Sequence, residues 1–251
     1  MSLHERYESE KQKWDGITEE QAQELEIFAP DFEFHQFARS NSETPGVSEF
    51  LGDIKGRKVL EIGCGSGYMA TLLSRSKALV TAFDLSPQSV RTTRKRAELN
   101  QTELDVLVSA GENLPFQDES FDIVIGKAIL HHLMSEIGSQ DIRRVLRKGG
   151  RAVFVEPMGM NPILTFVRKY IPYPHKNAVG IDEPLTYKVM DAWTDGYQYR
   201  EYREIQLLSM VERAFGWETT FPILRKMDAH ILKHIPFLRR FCRYVIIYAV
   251  K

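Results

Sequence analysis

The sequence predicts one α/β domain on an open, doubly wound, mostly parallel sheet, and three observations carry that prediction. Lys58 to Ile62 is a short apolar run with the character of a buried strand. Gly63, Gly65 and Gly67 follow at alternate positions, and Tyr68-Met69-Ala70-Thr71-Leu72-Leu73-Ser74 then has the spacing of a helix packed on a sheet. Strand and helix signals alternate from there to Pro157, the pattern of consecutive βαβ units. A strand, tight turn and helix place a ligand at the carboxyl edge of such a sheet.

At 251 residues and 43% apolar content, the chain has material for a full core, as one domain or one domain with a cap. A formal net charge of -1 disfavours a nucleic-acid binder that works by phosphate neutralisation. Cys64 and Cys242 supply neither a disulfide framework nor a metal-ligand spacing, so a reducing, cytoplasmic setting is expected, with no metal. Met1 to Asp15 is charged throughout and has no signal-peptide pattern. No run reaches the roughly 20 apolar residues of a membrane-spanning helix.

The chemistry of the turn follows from its surroundings. Glycines tolerate positive φ and lack the Cβ that would hold a ligand off the backbone. A dinucleotide turn is spaced G-x-G-x-x-G so that a pyrophosphate meets a helix N-terminus, whereas the spacing here is G-x-G-x-G. Glu61, two residues before Gly63, would repel a pyrophosphate and suits an ammonium or sulfonium ligand. With Glu61 at its head, this stretch resembles motif I of the class I S-adenosylmethionine-dependent methyltransferases, Glu/Asp-x-Gly-x-Gly-x-Gly. The resemblance implies a seven-stranded Rossmann-like sheet with an antiparallel last strand, and S-adenosylmethionine as cofactor. It also implies that Glu61, Gly63, Cys64, Gly65 and Gly67 bind that cofactor.

Upstream, Glu5 to Phe28 is polar and helical, with Thr18-Glu19-Glu20-Gln21 resembling a capping box. Phe28, Phe32, Phe34 and Phe37 are too many for a solvated loop. They either pack this segment on the domain or close it over a ligand. In the resembling family an N-terminal segment serves as such a lid, which would make Tyr7 and Phe37 lid residues. Gly46 to Gly52 should be a short helix.

The second strand, Leu79 to Phe83, ends at Asp84, 17 residues beyond Gly67, where a βαβ unit puts a carboxylate for ribose hydroxyls. Ser86 before Pro87 is the better cap for the next helix, so capping does not account for Asp84. That helix, Pro87 to Leu99, carries Arg91, Arg94, Lys95 and Arg96 as a solvated outer face. Leu85 would lie against one face of the adenine. After a third strand, Asp105 to Val108, the stretch Ser109 to Phe116 resembles the family segment Gly-Asp-Ala-Glu-x-Leu-Pro-Phe. It departs at Ala110, where relatives carry an Asp that bonds the adenine amino group. That contact is absent or passes to Glu112, Asn113 or a backbone carbonyl, and the resemblance places Gly111, Glu112 and Asn113 at the cofactor.

Asp118 to Ile125 reads as a turn and the fourth strand, ending in Gly126-Lys127-Ala128-Ile129-Leu130-His131-His132-Leu133. In the family this edge faces the methyl donor. Lys127 either reaches the cofactor carboxylate or is a surface lysine. His131 and His132 are either structural or catalytic, since an imidazole titrates near neutrality and can take a proton from a hydroxyl acceptor. Asp141 to Lys148 should be a helix ended by Gly149-Gly150. Strand five, Arg151 to Val155, closes at Glu156, which would orient an imidazole or form a plain salt bridge.

Met160 to Glu204 is broken by prolines and rich in Tyr170, Tyr173, Tyr187, Trp193, Tyr197, Tyr199 and Tyr202, which reads as an aromatic substrate cap. Glu204 to Phe215 should be a helix. Trp217 to Leu224 and Arg243 to Val250 should be an antiparallel strand pair. Between them, 230–240 is basic and amphipathic, either packed on the domain or touching a membrane surface. The chain thus divides into a lid (1–45), a cofactor-binding core (46–159), a cap (160–204) and a closing helix and strand pair (205–251).

The expected function is methyl transfer to a hydroxyl oxygen of a small-molecule acceptor, with His131, His132 and Glu156 as catalytic residues. No Asn/Asp-Pro-Pro-aromatic segment follows strand four, which disfavours methylation of nucleic-acid bases. A non-catalytic cofactor-binding module would keep Glu61 and Asp84 without needing the histidines. A nicotinamide-dependent oxidoreductase would need a different glycine spacing.

Overall fold

The computed structural model describes residues 3–170, 184–215 and 221–251. Its centre is a seven-stranded sheet: β1 (Lys58–Ile62), β2 (Leu79–Asp84), β3 (Asp105–Val108), β4 (Phe121–Lys127), β5 (Leu146–Pro157), β6 (Tyr199–Ile205) and β7 (Tyr244–Val250). The order across the sheet is β3-β2-β1-β4-β5-β7-β6. The first five strands are parallel, and β7 enters between β5 and β6 antiparallel to both. Strand order reverses between β1 and β4, and a ligand crevice opens at the carboxyl end of such a switch point.

Central strands are buried on both faces and therefore read as continuous apolar runs. One face packs α2 (Phe34–Ser40), α3 (Val47–Leu51), α4 (Tyr68–Arg75) and α5 (Pro87–Leu99) against Val59, Ala82, Ile123, Val153 and Ile246. The other packs α6 (Ser135–Val145), α8 (Tyr187–Trp193) and part of α9 (Pro222–His234) against Leu60, Val124, Phe154 and Ile247. α1 (Leu3–Gln21) lies along α5, and α7 (Pro162–Tyr170) follows β5.

Local signals account for the entries into the helices. Ser86 caps α5 with its hydroxyl, which accepts from the Ser89 N–H at 3.0 Å, and Pro87 takes the first turn. Gly67 caps α4 in the left-handed region (φ 76°), where a Cβ would fall 2.7 Å from the Thr93 Cα. Gly67→Ala therefore combines a strained φ with a clash against backbone and is expected to cost about 2 kcal/mol or more. An unchanged urea midpoint for that variant would contradict the packing of α4 on α5.

Several expectations for the periphery are corrected. Thr18 does not open a helix; it sits in the last turn of α1, buried, with its hydroxyl 2.9 Å from that of Ser89. α6 ends at Val145, so the Gly149-Gly150 pair lies within β5, where the pairing with β4 shifts register between Phe121 and Ile123. The outer partner of β7 is Tyr199–Ile205, which was assigned to the aromatic segment, and Pro222–Leu224 begins α9 rather than ending a strand. Residues 217–220 of that expected strand lie outside the described residues, as do Pro172, Tyr173 and Pro174. β6 escaped recognition because an edge strand lined with Arg200, Glu201, Arg203 and Glu204 has no apolar face, and such charges discourage edge-to-edge pairing. The helix expected over 204–215 is instead the end of β6 followed by a 3₁₀ segment, Ser209–Phe215, with Val211 exposed.

Candidate active site

The glycine turn between β1 and α4 is held from beneath by β2. The Gly63 and Cys64 N–H groups both donate to the Phe83 carbonyl, and the Gly65 N–H donates to Asp84 Oδ2 at 2.9 Å. The other carboxylate oxygen of Asp84 accepts from the Ser86 N–H at 2.9 Å. The Ser89 side chain is a third donor to it, so the carboxylate is held firmly and still keeps some acceptor capacity. At Gly65 (φ 52°) an added Cβ would meet nothing within 4 Å, so the backbone there borders open space. Leu85 is half-buried beside it.

Glu61 is buried at the end of β1, with the Ala70 N–H favouring its ionised form and Oε2 lacking any hydrogen-bond partner among the described residues. Burial, and then the nearby Asp84 charge, push its carboxyl well above the usual range. A buried carboxylate with an unused oxygen is costly unless a cationic ligand completes it. Asp84 is likewise raised, by burial first, with the Ser86 and Gly65 bonds opposing. Cys64 is buried, and burial with the charges of Asp84 and Glu61 pushes its thiol far up, which keeps it protonated and inert.

At the carboxyl ends of β4 and β5 a second group assembles. Glu156 is fully buried and accepts from the Ile129 and Leu130 N–H groups at 2.8 and 2.9 Å, fixing the short 3₁₀ turn Leu130–His132. Its other oxygen, Oε2, accepts from His131 Nδ1 at 2.6 Å. An ionised carboxylate only accepts, so this bond puts the proton on Nδ1 and leaves Nε2 as the basic nitrogen.

His132 has a different setting. Its ring stacks 4.1 Å from that of His131, its Nδ1 lies 3.2 Å from Glu10 Oε2, and Trp14 packs edge-on at 5.9 Å. Both Glu10 and Trp14 belong to α1, so His132 anchors the N-terminal helix. Burial pushes the Glu10 carboxyl up, but its contacts with His132, Lys13 and the Trp14 N–H outweigh that and hold it below its usual range.

Other expected contacts are placed elsewhere. Glu112 is buried, accepting from the Tyr7 hydroxyl at 2.8 Å and the Met134 N–H at 3.3 Å. Burial and the Glu112 bond push the Tyr7 hydroxyl far up. Tyr7→Phe leaves that buried carboxylate short of a donor, so a loss of about 1–3 kcal/mol is expected, with faster amide hydrogen exchange across 3–21. Exchange unchanged from wild type would show that Tyr7 does not hold α1 down.

Gly111 is buried with Leu133 where a Cβ would stand, and Asn113 is exposed. Lys127 pairs with Glu43 at 2.6 Å, a structural ion pair in place of the expected contact with the cofactor carboxylate. Phe37 is a core residue tilted against Tyr68 at 5.4 Å and does not reach the site. Arg96, expected on a solvated face, is buried, donates to the Ser66 carbonyl at 2.8 Å and lies over the rings of Phe28 and Tyr68. It clamps the glycine turn from behind. Its place on the stripe Ser89, Thr93, Arg96, Ala97 and Asn100, all buried, is the signal that marks it. Asp15, also missed, accepts from the Ser86 hydroxyl and the Gln88 N–H and so fastens α1 to α5.

A cavity of about 520 Å³ opens at the carboxyl end of β6, between the 39–45 loop and α9, lined by residues including Asn41, Ser42, Tyr202, Gln206 and Leu232. Glu156, Val245 and Glu204 share one row across the sheet. Two strand spacings, about 10 Å, therefore separate Glu156 from the cavity wall at Glu204.

Fold and turn together define an α/β domain that binds a nucleoside cofactor with a cationic head. The family description "Methyltransferase domain" matches residues 60–154. A demethylmenaquinone methyltransferase of Tropheryma whipplei is 30% identical over 178 residues, 68% of this chain and 71% of that protein. A probable phthiotriol/phenolphthiotriol dimycocerosates methyltransferase 2 of Mycobacterium ulcerans is 36% identical over 107 residues, and the match spans only 41% of the length of each. An S-adenosylmethionine-dependent methyltransferase structure from Mesorhizobium loti superposes with a TM-score of 0.55 at 17% identity, covering 85% of this chain and all of that one. The chain belongs to the class I S-adenosylmethionine-dependent methyltransferases.

The residues present fit that family's cofactor. The unpartnered Glu61 oxygen suits its ammonium, the open backbone at Gly65 admits its body, and Asp84 retains acceptor capacity for a ribose diol.

Proposed function

We propose that this chain transfers a methyl group to a hydroxyl oxygen of a small-molecule acceptor, with His131 as the base and Glu156 as the residue that positions it. The observation that carries this reading is the 2.6 Å bond from His131 Nδ1 to a fully buried Glu156, at the sheet edge next to the glycine turn. When bound, S-adenosylmethionine supplies an electrophilic methyl group on a sulfonium. Glu61 would hold its ammonium and Asp84 its ribose, while the Arg96 clamp keeps the turn in place. His131 Nε2 would accept the proton that the acceptor hydroxyl gives up as its oxygen bonds the methyl carbon and the carbon–sulfur bond breaks, its electron pair staying on sulfur in the departing thioether, S-adenosylhomocysteine. Glu156 stabilises the imidazolium so formed. Most of the acceleration comes from holding two reactants together, with the base adding a smaller share.

The cavity beside Tyr202 and Gln206 is the proposed acceptor site, and its size suits a ligand of moderate bulk. Relatives named for phthiotriol dimycocerosates and demethylmenaquinone support an amphiphilic acceptor. The test is S-adenosylhomocysteine release across a panel of phenols, hydroquinones and aliphatic alcohols, set beside amines of matching shape. Turnover with hydroxyl acceptors supports the reading. Turnover with amines alone, or tight cofactor binding with no turnover on any acceptor, would overturn it.

A further inference from the structure

α7 presents an apolar stripe on which none of the described residues packs. Ile163, Phe166 and Tyr170, at i, i+3 and i+7, are 60–72% exposed, and none of the helix's residues is buried. Soluble surfaces scatter such residues singly, and a contiguous set marks an interaction site. A second set lies on the outer face of α9 and the 3₁₀ turn after it, Pro236–Phe241. Ile223, Met227 and Phe237 are exposed there, while Asp228 and Leu232 face inward. The two sets adjoin, because the Asn161 side chain at the start of α7 donates to the Phe241 carbonyl at 2.6 Å.

Charge identifies the partner. The α7 segment 162–170 holds no acid, and Asp228 is the only acid in 221–243. That one acid is buried, accepting from the Leu207, Leu208 and Ser209 N–H groups and the Ser209 hydroxyl. Lys226, Lys233 and Arg240 are exposed among the apolar groups, with Arg240 over the Phe237 ring at 5.1 Å. The rings of His230 and His234 lie 4.5 Å apart on the same helix. In a chain of net charge -1, the exposed charges on the described residues of α7, α9 and the turn after it are all basic.

We propose that the α7–α9 face docks on an anionic lipid bilayer, its apolar side chains entering the headgroup boundary and its lysines and arginine meeting lipid phosphates. Leu232 lines the cavity at the carboxyl end of β6 from the same helix, so a docked molecule holds that cavity close to the bilayer. The docking stands whether or not the cavity accepts a methyl acceptor.

The experiment is cosedimentation of the full chain with phosphatidylglycerol/phosphatidylcholine vesicles and with phosphatidylcholine alone, at low and high salt. Binding to the anionic vesicles is expected, with release at 1 M salt, where the screening length shrinks to about 3 Å. Lys226→Gln with Arg240→Gln should weaken it by about 25-fold, near fivefold per charge. Phe166→Ser with Phe237→Ser should abolish it, and S-adenosylhomocysteine affinity should survive in both variants as the measure of folding. Salt release and the charge variant decide the matter if the aromatic variant misfolds. The proposal is overturned by absent binding, by equal binding to neutral vesicles, or by a concentration-dependent dimer in solution that the aromatic variant dissolves.

Discussion

Glu61→Gln is expected to stabilise the cofactor-free protein at pH 8 and to weaken S-adenosylhomocysteine binding by about ten- to hundredfold, the range for a bond to a charged group. Both effects come from one buried carboxyl. Burial and Asp84 raise its titration above the range of the unfolded chain. Below the unfolded value both states hold the proton, and Glu61 costs nothing. As pH rises past that value, the unfolded chain ionises while the folded chain resists, so stability falls until the folded value is passed. Glutamine removes that loss, so its advantage in thermal midpoint should be present at pH 8 and vanish near pH 4. The ligand reverses the balance, since an ammonium against Oε2 favours the carboxylate. Wild-type affinity should therefore increase with pH and be accompanied by proton release, and both features should be missing in the variant. Midpoints that differ equally at pH 4 and pH 8 would show that the side chain acts through packing alone.

His131→Ala is expected to lower kcat by about 10²- to 10⁴-fold, the usual share of a general base, with S-adenosylhomocysteine affinity retained. His132→Ala should act differently. It loses the Glu10 and Trp14 contacts, so it should loosen α1 and lower stability, with a smaller loss of kcat. The more searching variant is Glu156→Gln. A glutamine oxygen can still accept from Ile129 and Leu130, but its NH₂ would donate to His131 Nδ1 and move the ring proton to Nε2. The imidazole would stand in place as the wrong tautomer, so turnover should fall nearly as far as in His131→Ala while the fold survives. Full activity in Glu156→Gln would remove His131 as the base.

Sequence by itself determined the central fold and the glycine turn at its carboxyl edge. Buried parallel strands must be short apolar runs, and a turn that meets a ligand needs glycine, so β1 to β4, the glycine turn, Glu61 and Asp84 are legible from local pattern alone. The Ser86 cap is legible for the same reason, because a cap is chemistry within four residues. For Glu156 the sequence leaves two readings open, the orientation of an imidazole or a plain salt bridge, and does not say which histidine is its partner. The hydrogen bond between them is a fact of three dimensions, made by residues 25 apart.

Tertiary structure alone decided the rest, because what a polar side chain bonds depends on which distant segment reaches it. α1 brings Tyr7 to Glu112 and Glu10 to His132, contacts 105 or more residues apart in the chain that no local window contains. Lys127 meets Glu43 because the 39–45 loop crosses the end of β4, and that contact withdraws it from the role the family resemblance suggested. Arg96 looks solvated inside a basic run, yet Phe28 of the N-terminal segment and Tyr68 of α4 cover it. The outer strand of the last pair escapes the sequence because β6 hides its strand character behind the charges that protect a free edge. Only the register Glu204↔Val245↔Glu156 shows where it belongs. Local pattern specifies backbone and burial, whereas the partners of buried charges are chosen by the assembled fold.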